Sequence, residues 1–162
     1  MEEAYKEGWI RAIGVSNFYP DRLVDLCHFV EVKPAVNQVE THVFQQQVKA
    51  HEYMEKYGVQ HESWGPFSEG RNDFFSNTVL TEIGKKYNKS VAQTALHFLI
   101  QSGVVVIPKS AHKERMIQNM DVFDFVLSDE DMAAIQVLDK KESLFFSHYD
   151  PAAVERLAAL HR

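Results

Sequence analysis

The strongest constraint on the fold is a repeated order of segments. A short apolar run is followed by an amphipathic stretch four times, at a spacing of about 25–45 residues. Residues 10–15, 35–40, 59–64 and 104–107 read as strands. After the first, Pro20 and Asp21 stand where a helix begins, and Leu23, Val24, Leu26, Cys27 and Val30 give it an apolar face. After the second, a helix is expected over about 45–57, stopping at Gly58. The third leads into a loop over 67–76, after which Asn77 caps a helix carrying Val79, Leu80, Ile83 and Tyr87. Ser90 and Gln93 form a capping box for the next helix, whose Val91, Ala95, Leu96, Leu99 and Ile100 face inward until Gly103 ends it. Val104, Val105, Val106 and Ile107 are uninterrupted apolar residues, the pattern of a parallel strand covered on both faces. This alternation predicts an α/β chain of parallel β/α units.

Further helices are expected over 2–7 before Gly8, over 112–119, from Ser128 with Met132, Ile135 and Leu138 inward, and from about Pro151. Asp129, Asp131 and Asp150 read as caps. No repeat period or low-complexity linker marks a second domain. A single domain over 1–162 is expected, with β/α units over about 9–120 and a C-terminal helix and tail over about 121–162.

The fourth strand runs into Pro108, Lys109, Ser110 and then Arg115, Gln118 and Asn119 on a helix. Two cations and a hydroxyl beside free helix N–H groups converge on a phosphate. The net charge of the chain is -6, so these cations are a local exception on an acidic protein. That excludes a general nucleic-acid role and favours a small anionic ligand. The single cysteine, Cys27, excludes an internal disulfide and a cysteine zinc cluster, and reads as a buried helix residue. No apolar stretch approaches the roughly 20 residues that span a bilayer, and the N-terminus lacks the apolar region of a secretory signal. A cytoplasmic protein is expected, with no membrane and no nucleic-acid partner. His51, His61, His97, His112, His148 and His161 show no metal-ligand pairing, so no metal is expected. His42, after a strand end, reads either as facing the site or as a satisfied polar residue.

Four local motifs in order carry a family resemblance. They are Gly14 to Phe18, with Ser16 and Asn17; Val36 to Glu40, with Gln38; Ser63, Trp64, Gly65 and Pro66; and Ile107, Pro108, Lys109 and Ser110 with Arg115 and Asn119. Together they resemble strands five to eight of the aldo-keto reductases. The run from Gly65 to Gly70 is similar to the bacterial branch that includes diketogluconate reductases. The resemblance implies a TIM-type (β/α)8 barrel, of which this chain would be the second half. It also implies NADPH lying across the C-terminal ends of the strands, without a glycine-rich dinucleotide fingerprint. Ser16, Asn17 and Gln38 match residues that hold the nicotinamide carboxamide, an assignment that suits amide chemistry. Trp64 matches the aromatic stacked on the nicotinamide, and Gly65, Pro66 and Phe67 the loop passing the pyrophosphate. Lys109, Ser110 and Arg115 match the clamp on the 2′-phosphate, and Gln118 and Asn119 the adenine contacts; relatives often carry Glu where Gln118 stands. An extra phosphate, hence NADP(H) over NAD, suits Lys109 and Arg115 together.

Taken alone, these residues have plainer readings. Ser16 and Asn17 read as a helix cap, Gln38 and Trp64 as packing, and Lys109 and Arg115 as a solvated face. Family members reduce a small carbonyl substrate by hydride transfer, using a Tyr, Lys, Asp and His carried on strands two to four. Only 13 residues precede Gly14, so no catalytic residue is expected here. Tyr5, Tyr19, Tyr53, Tyr57 and Tyr149 have no matching context. Little activity is expected of the chain alone. A half-barrel would leave two sheet edges and an apolar face open, so a homodimer covering them is expected. The alternatives are a non-catalytic NADP-binding or scaffold protein, or a truncated product without activity. Residues 144–149 are expected to contribute a wall of the substrate site.

Overall fold

A computed structural model describes residues 1–160; His161 lies outside the described residues. The elements run α1 (Glu2–Lys6), β1 (Gly14–Ser16), α2 (Pro20–Phe29), β2 (Val36–Glu40), α3 (Val48–Tyr57), β3 (Gln60–Trp64), α4 (Thr78–Tyr87), α5 (Val91–Gln101), β4 (Val105–Val106), α6 (Lys113–Met120), α7 (Asp129–Gln136) and α8 (Pro151–Ala159). The four strands form one sheet in the order β1-β2-β3-β4. The pairs β1/β2 and β3/β4 are parallel, with Gly14 opposite Val36, Ser16 opposite Gln38 and Glu62 opposite Val105. This is the α/β class that the alternation of segments predicts.

The chain divides into two compact units. One holds residues 1–39, 47–61 and 142–160, and the other residues 40–46 and 62–141. In the first, Leu23, Cys27, Val39, Ala50, Met54 and Val59 form the core, joined by Val15, Phe18 and Tyr57. The apolar faces of α2 and α3 meet here, and Cys27 is buried as expected. Gly58, at φ +70°, ends α3 in the left-handed conformation and turns the chain into β3. Strand β1 is shorter than the expected 10–15. It pairs only where β2 offers partners, and upstream a single bond remains, Ala35 N–H to the Ile13 carbonyl at 2.7 Å. Helix α3 starts at Val48 rather than 45. His42 and Gln45 exchange backbone hydrogen bonds that close a turn, and Gln47 at φ +56° precedes the helix.

The second unit is built on Val43, Phe44, Phe74, Leu80, Ile83, Ala95, Phe98, Leu99, Val104, Leu127 and Ile135. Asn77 Oδ1 accepts the Leu80 N–H at 3.1 Å, and Ser90 and Gln93 complete the expected capping box. A Cβ on Gly84 would stand 2.5 Å from the Lys89 carbonyl oxygen and 2.9 Å from Thr94 Oγ1, so only glycine lets α4 and α5 approach this closely. The expected loop at 67–76 contains two 3₁₀ turns, Ser68–Gly70 and Phe74–Ser76, organised around fully buried Phe74. Its ring meets the edges of Phe44, Phe67 and Phe75 at 5.1–5.9 Å between centroids.

Two expectations need correction. Strand β4 is not covered on both faces: Val104 is buried, whereas Val105 is 44% and Ile107 52% exposed. It ends the sheet order, and only its Val104 and Val106 side packs on the core. Asp131 is not a cap. Ser128 caps α7 by accepting the Asp131 N–H, while the Asp131 side chain is buried and accepts from Lys86 Nζ and, at 2.7 Å, the Tyr87 hydroxyl. Burial pushes its carboxyl up. The bonds from Lys86, Tyr87 and Ser128 outweigh that and hold it below the usual carboxylate value. Asp150 is a cap, accepting the Ala152 N–H at 3.0 Å, and Asp129 lies in the first turn of α7.

Candidate functional site

In the first unit, Ser16 ends β1 and Asn17 follows in the left-handed conformation at φ +57°, which Asn tolerates through its short polar side chain. Both hang on one acceptor. The Asn17 N–H donates to the Gln38 carbonyl at 2.9 Å and Ser16 Oγ donates to the same oxygen at 3.1 Å. Ser16, Asn17 and Gln38 are therefore brought together. Ser16 is exposed, and Asn17 and Gln38 are half-buried. The plainer reading of Ser16 and Asn17 as the cap of α2 is not what the fold uses, because Tyr19 is the cap residue.

Sequence reasoning missed Asn37. Fully buried, it donates from Nδ2 to the Phe18 carbonyl at 2.7 Å and accepts the Phe18 N–H at 3.3 Å, fixing the segment after Asn17. Its signal is a second amide beside Gln38 between the two valines of the strand. The tail at 144–149 also enters this unit. His148 and Tyr149 set ring edges against Tyr19 at 5.3 and 4.6 Å. A pocket of about 360 Å³ opens there, lined by Asp21, Arg22, His148, Tyr149 and Pro151 among others. Burial, then the nearby Asp21 carboxylate, raises the Tyr149 phenol above its ordinary value.

In the second unit, half-buried Trp64 ends β3 and its carbonyl accepts the Thr41 N–H at 3.2 Å. Gly65 turns at φ +66°, Pro66 is buried, and Phe67 packs on Phe74 and Phe75. His42 takes the satisfied reading. Its Nδ1 accepts the Phe44 N–H at 3.2 Å, which places the ring proton on Nε2, 3.1 Å from Glu40 Oε1. Lys109 and Ser110 follow β4, and Ser110 Oγ accepts the His112 N–H at 3.1 Å. Helix α6 carries Arg115, Gln118 and Asn119 and buries no residue, and its cap His112 gives no side-chain bond. Lys109 and Arg115 are exposed and enter none of the ion pairs among the described residues. Lys85, Lys86 and Lys89 of the same unit are all paired to carboxylates.

Each unit carries donors of the kind that suit one part of NADP(H). Two unpaired cations beside uncapped N–H groups suit a phosphate dianion. The hydroxyl and amides at Ser16, Asn17 and Gln38 suit a carboxamide. In the first unit Ser16 ends β1; in the second, Trp64 ends β3 and Lys109 lies just past β4. Strand ends are where β/α folds collect ligands. Among the described residues there is no group of three or more His, Cys, Asp or Glu that could hold a metal. No helix among them is long and apolar enough to cross a membrane.

Comparison with known proteins agrees with this architecture. The family model described as the aldo/keto reductase family matches residues 1–140. Glyoxal reductase of Bacillus subtilis is 49% identical over 142 residues, which cover 88% of this chain and 51% of the relative. The chain spans about half the length of the curated relatives it matches. An aldo-keto reductase from a deep-sea metagenome, MGS-M4, superposes with a TM-score of 0.89 at 41% identity over 92% of this chain and 55% of that one. The silkworm (Bombyx mori) aldo-keto reductase, solved with NADPH, superposes with a TM-score of 0.82 at 35% identity over 87% of this chain and 46% of that one. By its sheet, its motifs and these matches, the chain belongs to the aldo/keto reductase family of oxidoreductases.

Proposed function

We propose that this chain is the cofactor-holding, C-terminal half of an NADP(H)-dependent aldo-keto reductase barrel, of the branch that includes diketogluconate reductases. The observation that carries the reading is the pair of exposed, unpaired cations Lys109 and Arg115 at the start of a helix that buries nothing. When bound, the cofactor supplies the hydride that reduces a carbonyl carbon. The residues of this chain bind and orient it. Lys109, Ser110 and Arg115 neutralise the 2′-phosphate, with Gln118 and Asn119 along the adenine. Gly65, Pro66 and Phe67 let the pyrophosphate pass, and Trp64 offers its ring face to the nicotinamide. Ser16, Asn17 and Gln38 fix the carboxamide and so the face presented to substrate.

The proton for the developing alkoxide comes from groups outside these 162 residues. A small aldehyde or dicarbonyl is the proposed substrate class, in keeping with the glyoxal reductase relative. The exposed apolar residues on β4 favour a covering partner, and two copies would supply it; a monomer at micromolar concentration in light scattering would remove that idea. The reducing cytoplasm suits its lone buried cysteine.

Tryptophan emission tests the reading, since the two tryptophans separate the effects. NADPH should quench the protein, Trp64→Phe should abolish most of the quench, and Trp9→Phe should leave it. Quenching that survives Trp64→Phe would contradict the placement of the nicotinamide. Glyoxal-dependent oxidation of NADPH should be slow, and turnover at ordinary reductase rates would contradict the absence of a proton donor in this chain.

A further inference from the structure

Helix α6 buries no residue fully, so its own apolar packing does little to locate it. What locates it is a polar stripe in the preceding part of the chain. Gln93, His97 and Gln101 recur every four residues along α5 and so share one helix face, and Lys89 lies just before the helix, four residues ahead of Gln93. All four reach the segment that follows α6. Lys89 Nζ donates to the Asp121 carbonyl at 3.2 Å and bonds the carboxylates of Asp121 and Asp124 at 2.9 Å each. Gln93 Nε2 donates to the Asp121 carbonyl at 2.8 Å and to its carboxylate at 3.1 Å. His97 Nδ1 donates to the Val122 carbonyl at 2.6 Å. Gln101 exchanges two 2.9 Å bonds with the backbone of Leu127.

Asp121 is the C-terminal cap residue of α6, its N–H bonded to the Ile117 and Gln118 carbonyls. The first three members of the stripe therefore grip the helix by its end. They are spent inward for that purpose. Gln93 and His97 are buried, and His97 leaves Nε2 without a hydrogen-bond partner among the described residues while its ring lies 4.2 Å from that of Phe125. Burying an unmet ring nitrogen is unfavourable, so the Nδ1 bond and the ring contact must outweigh it. The Lys89 ammonium at the carboxyl end of α6 also complements the helix dipole.

We infer that Lys89, Gln93 and His97 are positioning residues that hold α6 where Arg115 meets the phosphate, and so set the preference for NADPH over NADH. This rests on the cofactor reading above. The test measures dissociation constants for NADPH and NADH, amide hydrogen exchange over 116–120, and thermal midpoint. Gln93→Leu and His97→Leu should weaken NADPH about tenfold and NADH less than about twofold. Exchange at 116–120 should rise in the same variants without ligand. His97→Asn keeps a donor at the Nδ1 position and should restore both readouts. Gln101→Leu, which releases only the far end of the segment, should lower the midpoint and leave the NADPH-to-NADH ratio unchanged.

If Gln93→Leu does not fold, Lys89→Met carries the same test. A lowered midpoint with an unchanged ratio in Gln93→Leu and His97→Leu would overturn the inference while leaving the cofactor reading intact. A wild-type chain with no NADPH preference would overturn the cofactor reading first, and the inference with it.

Discussion

Helices α5 and α6 precede and follow β4 along the chain and use their polar side chains in opposite ways. In α5, seven consecutive residues from Gln93 to Leu99 are buried, and the polar Gln93 and His97 among them bond to the neighbouring segment. In α6, no residue is buried, and Arg115 enters none of the ion pairs among the described residues. A polar group with protein partners explains structure. A cation held exposed without one, at the start of a helix, is available to an anionic ligand. The contrast separates scaffold from candidate site without reference to ancestry.

The largest expected difference is in stability. Leu99→Ala in α5 should cost about 3 kcal/mol in urea unfolding, because Leu99 is 1% exposed and leaves a cavity. Ile117→Ala in α6, where the side chain is 60% exposed, should cost less than about 0.5 kcal/mol. Equal losses would break the comparison. Binding should show the reverse. Arg115→Ala should weaken NADPH about 30-fold, or about 2 kcal/mol, with no change in thermal midpoint. A fall in midpoint without a change in affinity would make Arg115 scaffold after all.

Histidines sharpen the same division. His61 is buried and its Nδ1 lies 3.0 Å from Nδ1 of His51. Burial first, then the His51 charge, lowers its pKa to about 3. A folded-state value below the unfolded one means that the unfolded chain takes up the proton first. Stability is then full above about pH 6.5 and is lost as pH falls toward about 3. The loss at pH 5.5 should be about 1.4 kcal/mol, and His61→Phe should flatten that part of the profile. An unchanged profile would place the titration elsewhere. The smallest effect concerns caps. Asn77→Ala removes the side-chain bond at the start of α4 and should cost about 1 kcal/mol, whereas His112→Ala at the start of α6 removes none and should cost nothing measurable.

Much of the scaffold was legible in the sequence because local rules decide it. Asn77, the box of Ser90 and Gln93, and Gly58 each act within a few residues. The start of α3 was not legible, because the His42–Gln45 turn that displaces it has no strong local signature. The openness of β4 was hidden because its four apolar residues do not say how many of their faces find neighbours. Asp131 looked like a cap since its long-range partners, Lys86 and Tyr87, cannot be read from spacing. At the site, Lys109 and Arg115 were readable as cations out of place on an acidic chain. The stripe of Lys89, Gln93, His97 and Gln101 was not, because its meaning depends on a segment more than twenty residues away.

The central claim is that the cations around α6 are kept for the 2′-phosphate of NADP(H). Titrating the purified chain with NADPH and with NADH, under one buffer and salt, tests it most directly. Saturable NADPH binding with NADH at least tenfold weaker, a difference of about 1.4 kcal/mol, is the predicted result. Equal affinity for the two, or binding of neither, would contradict it.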